Sequence, residues 1–176
     1  MSYYYLAASL PMLHLGRTPM IREDAFLALC REHLAPADLE GLEAVLARGG
    51  AGSPHPFAAA WRQRETVLRN AIAEARASRL GRDAAPYLRE AEWDVNTTRA
   101  VGEAFGRATP AEREFELDRH RWQTAEALAG LDIFSGAAVL AYALKLRLAH
   151  RWAGMAADAG RRRLEETVDT AAAASP

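Results

Sequence analysis

The chain has 176 residues, half of them apolar and 26% charged, with a formal net charge of −1. That is enough for one domain with its own core and too little for two, and the near-neutral balance excludes a dedicated nucleic-acid or membrane-surface binder, which needs excess positive charge. The single cysteine, Cys30, excludes an intrachain disulfide, and no run of about 18 apolar residues is present to cross a bilayer.

Alanine, leucine, arginine and glutamate dominate, all strong helix formers. The stretch Tyr3 to Leu15 is apolar and interrupted by Pro11, so it reads either as a short helix or as an extended piece. Its three consecutive tyrosines cannot all face one side, so at least one is exposed or packed on another segment. Met1-Ser2-Tyr3-Tyr4-Tyr5-Leu6 has no positive region before its apolar part, which argues against a secretory signal and for the cytoplasm.

Glu23 and Asp24 suit the start of a helix, where the macrodipole favours acids; Phe26, Leu27, Cys30 and Leu34 form its apolar stripe. Pro36 suits the first position of the next helix, with Leu39, Leu42, Val45 and Leu46 at helical spacing. Gly49 to Pro56 is rich in glycine and proline and reads as a loop. A third helix is expected from Phe57 to Leu80, closed by Gly81.

A fourth is expected from an Asp83 cap with Pro86 in its first turn, and with Leu88, Ala91, Val95, Thr98, Gly102 and Phe105 as its seam. Thr109-Pro110 opens a fifth, with Glu112 as capping-box partner. Ser135 caps the last, which is apolar almost all round to Leu144; Gly154 and Gly160 bend or end it. The expectation is an all-α, single-domain bundle of about six helices with a short apolar N-terminal segment. In this reading residues 1–48 form that segment and a helical hairpin packed on the rest, 49–56 a loop, 57–170 the main bundle and 171–176 a frayed tail.

No catalytic, cofactor or metal constellation emerges. Cys30 and His33 share a helix face, but no second pair completes a zinc site; a buried thiol beside a surface imidazole is expected. Glu116 and His120 stand four apart, without the paired Glu-x-x-His motifs of di-metal bundles. The alternation of Glu112, Glu114, Glu116 and Asp118 with Arg113, Arg119 and Arg121 reads as a solvated helix face. Trp61 and Trp122 are expected in the core, whereas Trp93 falls off the seam of its helix and is a candidate contact.

Charge is uneven along the chain. Lys145, Arg147, Arg151, Arg161, Arg162 and Arg163 stand against one acid, Asp158, whereas Arg22 to Leu46 holds six acids and two bases. The basic set is either a complement to the helix dipole or a docking face for an acidic partner.

The opening Tyr3-Tyr4-Tyr5-Leu6-Ala7-Ala8-Ser9-Leu10-Pro11, with Leu13 and Gly16, resembles the start of an uncharacterised bacterial family whose genes commonly lie among those for V-type ATPase subunits. Phe26-Leu27-x-Leu29-Cys30, Leu34-x-Pro36-x-Asp38-Leu39, Leu131-Asp132-x-Phe134, Leu140 to Leu146 and Arg151-Trp152 carry the same resemblance. Ala138 to Lys145 is also similar to a stretch of the helical C subunit (subunit d) of V/A-type ATPases, although Lys145 is not followed by the Glu and Asn of that pattern. The resemblance implies a non-enzymatic interaction protein working with V-type ATPase subunits. Its candidate contacts are Tyr3, Tyr4, Tyr5, Trp93 and the basic residues named above. The rival expectation is a small-molecule or lipid-binding bundle with a pocket among Trp61, Tyr87 and Trp122; an enzyme built on Glu116 and His120 is a third.

Overall fold

The computed structural model describes residues 2–47 and 53–155. Among these residues seven α-helices follow in order: α1 (Tyr4–Ser9), α2 (Glu23–His33), α3 (Pro36–Leu46), α4 (Pro56–Leu80), α5 (Val95–Phe105), α6 (Pro110–Ala129) and α7 (Gly136–Ala153), with one 3-10 turn at Ala85–Tyr87. The protein is all-α, with no strand among the described residues.

Local signals set most of the boundaries. Pro36 and Pro56 open α3 and α4, where a missing N–H costs nothing. Thr109 and Glu112 cap α6 reciprocally, and the Ser135 hydroxyl accepts from the Ala138 amide at the start of α7. Gly81 closes α4 at φ +60°, a conformation that needs no β-carbon.

The fourth expected helix is corrected. Asp83 caps only a single turn, with its carboxylate on the Ala85 amide, and the chain then runs extended to Asp94. There the Asp94 carboxylate accepts from the amide of Thr97 and starts α5 instead. The buried stripe is therefore Thr97, Val101, Ala104 and Phe105, while Leu88 and Val95 are exposed. The extended segment is held on α4 by Asn70, which donates to the Arg89 carbonyl at 2.7 Å and accepts from the Arg89 amide at 3.0 Å.

Two apolar cores result. The larger gathers Leu6, Phe26, Cys30, Leu42, Phe57 and Ala125 around Leu140, Leu144 and Leu146 of α7. The hairpin α2–α3 thus shares its core with the last helix. The smaller holds Leu68, Ala71 and Ile72 of α4 against Val101, Ala104 and Phe105 of α5 and Leu117 of α6. Helices α4 and α6 run through both. No described helix is long and apolar enough to cross a membrane.

Candidate functional site

Two features stand out, an apolar patch at one end and a charged cleft along the bundle. The patch arises because the Tyr3 to Leu13 segment is strapped over the start of α7. The Tyr3 amide donates to the Phe134 carbonyl at 2.7 Å, and the Tyr142 hydroxyl donates to the Pro11 carbonyl at 2.8 Å. The Tyr4 ring lies 4.4 Å from that of Phe134. Tyr4, Tyr5, Met12, Leu131 and Ile133 are left exposed around this strap, Tyr5 at 90%. Met12 and Ile133 border a groove of about 300 Å³ floored by Leu13, Val139 and Tyr142.

Tyr3 is corrected as a contact residue, because it is buried. Its hydroxyl donates to Asp38 and accepts from the Ala35 amide at 3.2 Å. The other Asp38 oxygen lies 3.0 Å from Nε2 of His55. Burial alone would raise the Asp38 pKa, but the hydrogen bonds from Tyr3 and His55 outweigh it and hold the carboxyl below its usual range.

The cleft, about 520 Å³, lies between α3, α4, α6 and α7. Val45, Ala58 and Leu144 line it together with Trp61; six arginines and three carboxylates complete the wall. Its centre is Asp118, fully buried. One Asp118 oxygen accepts from Arg121 at 2.8 Å; the other accepts from Arg151 and from the Trp152 indole, both at 2.9 Å. Arg121 also donates to Glu65 at 2.8 Å, and Arg151 reaches Glu114 at 3.3 Å. Burial works against the Arg121 cation, but Glu65 and Asp118 outweigh it and raise its pKa.

The reading of α6 as a solvated face is therefore corrected at Asp118 and Arg121. Sequence reasoning missed both because one buried acid looks like its exposed neighbours when charges alternate. The available signal was Leu117, Asp118, Arg121 and Ala125, which share a helical stripe.

The remaining candidates fall as follows. Trp93 is exposed on the extended segment. Lys145 is ion-paired to Glu126 at 2.7 Å and sits over the Trp122 ring. Arg147 donates to the Leu46 carbonyl at 2.7 Å. Lys145, Arg147 and Arg151 thus hold internal partners rather than forming a free basic stripe; Arg161, Arg162 and Arg163 lie outside the described residues.

Trp61 borders the cleft, but Tyr87 and Trp122 do not, so those three form no common pocket. Glu116 is paired to Arg107 and Arg119. His120 lies 3.2 Å from the Thr97 hydroxyl, and burial pushes its pKa down. Both border a second cleft of about 460 Å³. Cys30 is fully buried and its thiol is pushed up to about 12 by burial, while His33 is exposed. Among the described residues no three His, Cys, Asp or Glu side chains are grouped to hold a metal ion.

Fold and surface together define a class, an all-α bundle with an exposed apolar end and a charged lateral cleft. Comparison with family models, with curated proteins and with solved structures gives no match to this chain.

Proposed function

We propose that this chain is a non-enzymatic interaction protein that works in the cytoplasm as a stalk, coupling or assembly accessory of a V-type ATPase. The observation that carries the interaction reading is the exposed patch of Tyr4, Tyr5, Met12, Leu131 and Ile133. Large apolar side chains clustered at one end of a small bundle cost solubility and are typical of a partner surface.

The choice of partner rests on the resemblance. The segments that carry it are far apart in sequence yet meet in the fold. Tyr3 bonds Phe134 and Asp38, Tyr142 bonds Pro11, and the Phe26 and Tyr142 rings lie 5.3 Å apart. The motif residues thus build the strap that presents the patch.

A tagged pull-down from the native cell in mild detergent tests this. Stalk or ring subunits of the ATPase should co-purify with the parent and be lost with Ile133→Glu, an exposed position whose substitution leaves the core intact. Recovery of the protein alone, from cells that express the ATPase, would refute the partner assignment.

A further inference from the structure

The lateral cleft carries more positive charge than its own acids neutralise. Its three carboxylates, Glu65, Glu114 and Asp118, are all engaged by Arg121 and Arg151, and Glu65 by Arg69 as well. Each guanidinium has five N–H donors. Arg147 spends one nitrogen on the Leu46 carbonyl. Arg89 is tied down through its main chain by Asn70, and its guanidinium has no partner among the described residues. The wall therefore presents unspent donors around a hollow.

Those donors are also oriented. Asp118 and its neighbours fix the planes of Arg121 and Arg151, as outer carboxylates fix ligand groups at binding sites. Arg147 and Arg151 project one turn apart on α7 into the same space. Guanidiniums, with Arg147 and Arg151 held by protein acceptors, match the paired oxygens of a phosphate. Trp61, Val45 and Leu144 give the hollow an apolar side. Its volume is that of a small-molecule site, not of a groove for a protein segment.

We infer that this cleft binds a soluble, multiply charged phosphate compound, a pyrophosphate or phosphate ester, with the oxyanion on Arg89, Arg147 and Arg151 and any apolar body against Trp61. The site is independent of the partner surface: it lies between α3, α4, α6 and α7, whereas the patch sits on the α1 strap and the α6–α7 loop.

Titration calorimetry of the full chain with inorganic pyrophosphate at low salt tests the site. The parent should bind, with affinity falling as salt rises. Arg89→Ala/Arg147→Ala should weaken binding at least tenfold, and Arg99→Ala, on α5 away from the cleft, should not. Should loss of the Arg147–Leu46 bond unfold the double variant, Arg89→Ala alone should still weaken binding at least threefold, because that side chain makes no contact the fold needs. No heat with the parent, or equal affinity in the Arg89 variants, would overturn the proposal. Sedimentation with phosphatidate vesicles that depends on Arg89 and is not displaced by pyrophosphate would overturn the assignment to a soluble ligand.

Discussion

A single buried carboxylate organises much of the charge in this protein. Asp118 accepts from two arginines and an indole, and no part of it reaches solvent. Removing it leaves the largely buried Arg121 with Glu65 alone and the Trp152 indole without its acceptor, which costs about 3 kcal/mol. Asp118→Ala should lower stability by that amount in urea titrations, whereas Glu114→Ala, half-exposed at the edge, should cost under about 1 kcal/mol. Equal effects would mean that the network is not centred on Asp118.

Asp38 makes a second residue-level prediction. Its folded pKa lies below the value of about 3.9 expected of an unfolded aspartate. The Tyr3–Asp38–His55 cluster therefore contributes its full stability above that pH and loses it as pH falls through the folded value. Asp38→Asn should be less stable than the parent at neutral pH, and the gap should narrow on acidification below about pH 4. A gap that is constant with pH would show that the carboxylate charge is not what the cluster uses.

At the scale of elements, two glycines with opposite surroundings separate helix propensity from packing. A β-carbon on Gly102, in α5, would meet nothing within 4 Å, so Gly102→Ala should stabilise by about 0.5–1 kcal/mol. A β-carbon on Gly41, in α3, would fall 2.5 Å from the His55 ring, so Gly41→Ala should destabilise by about 1–3 kcal/mol despite its better propensity. Chemical denaturation of the pair reads both signs.

Legibility at this scale followed how local the signal was. The caps of α4, α6 and α7 were readable from Gly81, Thr109-Glu112 and Ser135, because each acts within four residues. The start of α5 was not: two aspartates, Asp83 and Asp94, both offered a cap, and a seam with steps of three and four ran through Leu88 to Phe105. What decided against Asp83 is tertiary, the Asn70 side chain taking both main-chain groups of Arg89. The exposure of Tyr4 and Tyr5 was half legible, since three tyrosines in a row cannot all be buried. Which one turns inward depended on Asp38, 35 residues away. The cleft was illegible, because its arginines come from α4, α6, α7 and the extended segment.

For the whole molecule, the division into two cores predicts uneven opening. α5 packs chiefly on α4 and α6 around the smaller core, whereas α7 contacts α2, α3 and α6. Native-state hydrogen exchange should show α5 amides opening at lower free energy than Val139 to Leu146 of α7. Uniform protection would instead make the protein one cooperative unit.

The strap also imposes an order on biosynthesis. Pro11 and Tyr142, joined by one hydrogen bond, are 131 residues apart. At the usual elongation rate of about 5–20 residues per second, the first apolar segment leaves the ribosome on the order of ten seconds before its seat on α7 exists. Through that interval Tyr3 and Leu6, buried in the finished fold, have no intramolecular seat and stay open to neighbouring nascent chains.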